Sequence, residues 1–207
     1  MRRILLIGLL FVFYNNLQAQ VKLPVYPDSL FSTYYYQRCA LFQSLPQTKG
    51  DIVFIGNSIT DGGEWSELFS DLRIKNRGIS GDVSAGVIKR IDELANRRPA
   101  KVFLMIGVND LARAVSPDSL VKNILLIVDY LCTQTPSTKL FVQSLLPVNS
   151  LLGKFEGHTS KTRQIKQVNE MLLKESLQHP YHFINLYPSF CDDNGKLNTK
   201  FSNDGLH

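Results

Sequence analysis

Five short strand-like runs, at residues 52–55, 73–76, 101–106, 140–144 and 181–186, alternate with helical stretches at 64–69, 84–95, 117–132 and 160–176. Strands separated by helices of this length cannot pair through tight hairpins. They must lie parallel, joined by right-handed crossovers. The alternation therefore predicts an α/β fold with a parallel sheet and helices on both faces. A chain of 207 residues favours one domain. No internal repeat, low-complexity tract or long linker breaks it.

The first strand carries the stretch around which chemistry can gather: Asp51-Ile52-Val53-Phe54-Ile55-Gly56-Asn57-Ser58-Ile59-Thr60-Asp61-Gly62-Gly63. Ser58 falls just past the carboxyl end of a buried strand and ahead of the helix expected at 64–69. Ligands of open parallel sheets bind at that edge. Gly56 leaves the approach unblocked, and the free backbone N–H groups after the strand can hold developing negative charge. Two other roles fit one serine in this place. It can be a helix cap without chemistry, or part of a phosphate loop of the flavodoxin type.

Partners elsewhere in the chain decide between them. Arg77-Gly78-Ile79-Ser80-Gly81-Asp82 follows the second strand and Gly107-Val108-Asn109-Asp110 the third, and the tail ends Asn203-Asp204-Gly205-Leu206-His207. Strand carboxyl ends share one edge, so Ser58, Gly81 and Asn109 converge. Asp204 and His207 are three residues apart, which lets a carboxylate reach the imidazole Nδ1–H. Ser58 is then the nucleophile, His207 the base and later the acid, and Asp204 its orienter. The Ser58 N–H, the Gly81 N–H and the Asn109 amide form an oxyanion hole. A phosphate loop needs neither Asn109 nor the Asp204–His207 pair.

Together, and in this order, the four blocks resemble those of the SGNH (GDSL-like) hydrolases, over residues 50–207. The likeness is nearest to the branch of platelet-activating-factor acetylhydrolase catalytic subunits and bacterial acetylesterases. It implies a three-layer α/β/α, flavodoxin-like sheet of order 2-1-3-4-5, and ester hydrolysis through an acyl-enzyme with no metal or cofactor. By position Gly81, rather than Gly78, is the oxyanion glycine. Asn57 replaces the family's usual Asp before the serine. Relatives continue past the histidine into a closing helix, so a chain stopping at His207 is expected to lack it. The expected substrate is a small-molecule or carbohydrate ester, acetyl esters first. A lysophospholipase or platelet-activating-factor-acetylhydrolase-like lipase is the alternative, and a catalytically silent carbohydrate-binding protein is the alternative of another class. No lid helix rich in apolar residues stands between the blocks, which weighs against a lipase.

Hydrophobic residues make up 44% of the chain and charged residues 20%, enough for a full core. Met1-Arg2-Arg3, an apolar run at 4–13 and Leu17-Gln18-Ala19 read as a signal peptide cut after Ala19, which makes the mature protein secreted or periplasmic. The run is too short to span a bilayer, so no transmembrane span remains after cleavage. Losing Arg2 and Arg3 lowers the net charge from +5 by two, to +3. The remaining Lys and Arg are scattered, which argues against a nucleic-acid footprint. Residues 20–32, with Pro24, Pro27 and Asp28, read as an extended arm, and 33–45 as a helix packed on the domain. The tyrosines Tyr34, Tyr35 and Tyr36 are assigned to packing. Cys39, Cys132 and Cys191 show no CxxC spacing and read as inert thiols. His158, His179 and His182 read as surface or loop residues, and Asp61, Glu64 and Asp110 as caps or solvated acids. The sequence leaves the oligomeric state open.

Overall fold

A computed structural model describes residues 21–207. The leader read as a signal peptide lies outside the described residues. Five parallel strands, β1 (Ile52–Gly56), β2 (Ile74–Gly78), β3 (Lys101–Met105), β4 (Lys139–Gln143) and β5 (His182–Ile184), stand in the order β2-β1-β3-β4-β5. Gly56 is level with Gly78 of β2 and Met105 of β3. The segments that follow these three strands therefore leave the sheet on one edge.

Among the described residues the helices are α1 (Thr33–Ser44), α2 (Ser58–Asp61), α3 (Trp65–Leu68), α4 (Ser84–Lys89), α5 (Ile91–Arg97), α6 (Val108–Ala112), α7 (Pro117–Gln134), α8 (Glu156–Thr159), α9 (Thr162–Glu175) and α10 (Tyr187–Phe190). Ser116 caps α7, its Oγ accepting from the Ser119 N–H, and Pro117 follows at the first position, where its missing N–H costs nothing. Of the three tyrosines assigned to packing only Tyr35 is buried, and Tyr34 and Tyr36 are exposed. Tyr35 donates to the Gly86 carbonyl of α4 at 2.8 Å.

Alternation along the strands gives the sheet two different faces. One face presents Val53, Ile55, Val102, Leu104, Leu140 and Val142, packed against α4, α5, α7 and α9. From α7 come Leu120, Ile124, Ile127 and Leu131, at the spacing of one helical stripe and all about 1% exposed or less. Each such side chain contributes roughly 1.5–3 kcal/mol by leaving water. The other face carries a ladder of rings, one from each of β1, β3, β4 and β5: Phe54, Phe103, Phe141 and His182, stacked at 4.8, 4.6 and 5.2 Å. Trp65 of α3 extends it, 4.9 Å from Phe54.

The stretch at 84–95, expected as one helix, is two. The backbone leaves helical geometry at Arg90, whose Nε and Nη2 donate to Asp82 Oδ2 at 3.1 and 2.9 Å. Neither Asp82 nor Ser84 caps α4. The cap residue is Val83, Asp82 Oδ1 accepts from the Val83 N–H, and the Ser84 N–H turns to Asp110.

Candidate active site

Ser58 is the first residue of a helix that begins directly after β1, where the sequence pattern placed a loop. Asn57 caps it, its Oδ1 accepting from the Ile59 N–H at 3.1 Å. The turn is held from both sides. Asn76 Nδ2 donates to the carbonyls of Thr60, Asp61 and Gly63 at 2.8–3.0 Å, and Trp65 Nε1 donates to Thr60 at 2.7 Å. Gly56 serves packing rather than access. A Cβ there would lie 2.3 Å from Thr60 Oγ1 and 2.4 Å from the Met105 carbonyl oxygen.

The two glycines of the second loop separate cleanly. The Gly78 N–H is taken by Asn76 Oδ1 at 2.8 Å, and a Cβ on Gly78 would strike the Asp61 backbone at 2.2 Å. Gly81 sits at φ +80° with open space around it, and its N–H has no partner among the described residues. Asp61 ties this loop to α2, accepting from the Ser80 N–H and Oγ at 3.0 and 2.8 Å. It also pairs with Arg38 and accepts from Tyr34, so it is an anchor for α1 rather than a cap or a solvated acid.

Asn109 projects from the first turn of α6. Its Nδ2 donates to the Asp82 carbonyl at 2.8 Å, and its Oδ1 accepts from His158 Nε2 at 2.9 Å. An amide oxygen can only accept, so His158 carries its proton on Nε2. One Nδ2 hydrogen remains for a ligand. Burial above all, then the charges of His207 and Arg113, push the His158 pKa below its ordinary value, which favours the neutral ring. Asp110, read as a cap or solvated acid, is 2% exposed. It receives the Ser84 N–H and hydroxyl. Burial raises its pKa to about 6, while the Ser84 bonds pull it down.

The tail closes the site. His207 Nε2 lies 2.9 Å from Ser58 Oγ and its Nδ1 lies 2.8 Å from Asp204 Oδ2. Asp204 Oδ1 accepts the N–H groups of Leu206 and His207, both at 2.8 Å. Desolvation works against this carboxylate, but the backbone and ring donors of His207 and the Leu206 N–H hold its pKa well below the carboxylate range. Gly205 sits at φ +83°, and a Cβ there would lie 2.1 Å from the Asn149 carbonyl oxygen. The Asn149 N–H in turn donates to the Gly205 carbonyl at 2.9 Å. Phe155, at φ +51°, sets its ring edge-on to His207 with centroids 5.1 Å apart.

The structure thus joins Ser58, His207 and Asp204 by hydrogen bonds and links Gly81 to Asn109 through the Asp82 carbonyl. Sequence reasoning missed three neighbours. Asn149 follows β4, so the same strand-end rule that found Asn109 points to it. His158 and Phe155 carry no motif; His158 reaches the site only through its contact with Asn109. The segment read as free of a lid carries the exposed side chains Leu151 and Phe155. Among the described residues no cluster of three His, Cys, Asp or Glu has metal-ligand geometry. His179 lies between Asp129 and Glu175, and His182 belongs to the ring ladder.

A parallel sheet of order β2-β1-β3-β4-β5 bearing this group at its carboxyl edge is the framework of an ester-bond hydrolase. The model of the GDSL-like Lipase/Acylhydrolase family matches residues 54–207, and the chain belongs to that family. It is 30% identical over 165 residues to platelet-activating factor acetylhydrolase IB subunit alpha1 of Homo sapiens, covering 76% of this chain and 68% of the relative. A GDSL-like lipase from Bacteroides thetaiotaomicron superposes with a TM-score of 0.71 at 25% identity, covering 84% of this chain and 88% of that one. An acetylxylan esterase from Geobacillus stearothermophilus shares the fold, with a TM-score of 0.62 at 17% identity over 78% of this chain and 88% of that one.

Proposed function

We propose that this protein is a serine esterase that removes a short acyl group, acetyl first, from an alcohol oxygen, with sugar esters as its first substrate class. The observation that carries this is the hydrogen-bonded line from Ser58 Oγ through His207 to Asp204. Ser58 Oγ attacks the ester carbon as its proton passes to His207 Nε2. The oxygen that gains charge lies against the Ser58 and Gly81 N–H groups and the remaining Asn109 Nδ2 hydrogen. His207 then gives the proton to the departing alcohol, and water repeats the sequence on the acyl-enzyme. Asp204 holds Nδ1–H and so keeps Nε2 free to accept. His158 acts through Asn109 as a positioning residue.

The acetylhydrolase relatives at 30% identity support acetyl as the first acyl group. A second reading, a lipase like the platelet-activating-factor acetylhydrolases, is favoured by the relatives at 30% identity. The leader at 1–19 supports a secreted or periplasmic location.

The test is a panel of p-nitrophenyl esters of rising acyl length, with acetylated xylo-oligosaccharides and a 2-acetyl glycerophospholipid alongside. Acetyl esters should turn over fastest, a fluorophosphonate should label Ser58 alone, and Ser58→Ala should lose nearly all turnover. Binding of oligosaccharide without any hydrolysis would instead identify a silent carbohydrate-binding protein.

A further inference from the structure

Asn109 and Arg113 are four residues apart at α6, so their side chains leave the same face one turn apart. Both reach the same loop: Asn109 donates to the Asp82 carbonyl and Arg113 Nη2 to the Gly81 carbonyl at 3.0 Å. Ala114, at φ +61°, turns the chain away immediately after. A guanidinium carries five N–H donors. Arg113 is exposed, donates once, and pairs with no carboxylate among the described residues. The Cβ atoms of Asn109 and Arg113 lie about one helical turn, roughly 5–6 Å, apart.

Beside Arg113 opens a cleft of about 200 Å³, lined by Phe31, Tyr35, Ser80, Gly81, Val83 and Arg113. The stacked rings of Phe31 and Tyr35, 4.7 Å apart, give it a flat apolar wall. Gly81, assigned above to the oxyanion hole, lines this cleft, so an ester held at that glycine reaches into it. We infer that the cleft receives the alcohol half of the substrate and that Arg113 binds an anionic oxyacid on it, a carboxylate or a phosphate. This rests on the esterase function proposed above. A planar fork of donors suits either group, through paired charge-assisted hydrogen bonds.

The rival role for Arg113 is only to hold the Gly81 loop. Phenyl acetate, 4-acetoxybenzoate and 4-acetoxyphenyl phosphate separate the two when the enzyme is compared with Arg113→Gln and Arg113→Lys. Arg113→Gln should lose about tenfold or more in kcat/KM on the two anionic esters relative to phenyl acetate, mostly through KM, and Lys should keep part of it. An equal loss on all three esters would overturn the inference. Calorimetric binding of 4-hydroxybenzoate and 4-hydroxyphenyl phosphate to Ser58→Ala, with and without Arg113→Gln, needs no turnover. Affinity that falls with Arg113 while no ester is cleaved would sink the esterase function and keep the anion site. Unchanged affinity would sink the anion site. A uronic-acid sugar acetate against a phosphate-bearing glycerolipid acetate then tells which source supplies the charge.

Discussion

Replacing His158 by Ala tests how the Asn109 amide, proposed for the oxyanion hole, is held. Asn109 is 7% exposed, and its side chain has two anchors, the Asp82 carbonyl on Nδ2 and the His158 ring on Oδ1. Losing a whole oxyanion donor costs ~10²–10³ in kcat, roughly 3–4 kcal/mol. His158→Ala removes one anchor of two and leaves Oδ1 unsatisfied. If the anchors share the orienting work, about half of that energy goes, roughly 1.5–2 kcal/mol, which is about 10–30-fold in kcat. KM should stay within about twofold, because the amide meets charge that exists only in the transition state. His158→Gln, which returns an N–H donor, should recover part of the rate. Steady-state kinetics on p-nitrophenyl acetate read all of this. In a double variant, His158→Ala should add less than about twofold to the loss from Asn109→Ala, since the ring acts only through the amide. Losses that multiply, or a full rate in His158→Ala beside a crippled Asn109→Ala, would refute the positioning role.

Asp110 carries a pH signature. With a folded pKa of about 6, against ~3.9 unfolded, the folded chain keeps a proton the unfolded chain has lost. This group's contribution to stability therefore falls as pH rises from about 4 to about 6. Asp110→Asn should gain roughly 2–3 kcal/mol relative to the parent between about pH 4 and about pH 7 in urea melts, and a constant difference would rule the buried charge out. Gly205→Ala should shift the tail off Asn149 and cut kcat by roughly 10²-fold, as small misplacements of reacting groups do; a normal rate would show that the tail tolerates the contact. Gly78→Ala should destabilise by ~1–3 kcal/mol through the clash with Asp61. Gly81→Ala meets open space and pays mainly for its positive φ, about 1 kcal/mol. Thermal melts in the reverse order would contradict both assignments.

The sheet was legible because its strands are short runs bounded by turn-formers, and the strand-end rule then brought Ser58, Gly81 and Asn109 to one edge. The three-residue spacing of the tail picked out Asp204 and His207, and the hydrogen bonds now observed join them to Ser58. What escaped has a common physical cause. Helices α2, α6, α8 and α10 are four or five residues long, little more than one turn, so no 3.6-residue period can develop. The break at Arg90 depends on a buried carboxylate eight residues away, and the role of His158 on a contact 49 residues away. Gly56 was misjudged because the group it must avoid, the Met105 carbonyl, arrives from another strand.

The chain holds one tryptophan, and the fold has placed it as an optical probe of its own chemistry. Trp65 stacks on Phe54, four residues before Ser58, and its indole N–H is bound to the carbonyl of Thr60, two residues after it. Any shift of the nucleophile turn changes both the stacking and the polarity that the indole senses. Acylation of Ser58 should therefore register in the intrinsic emission of the unlabelled enzyme. Stopped-flow fluorescence on a slow ester could then time the formation and decay of the acyl-enzyme without a chromogenic leaving group.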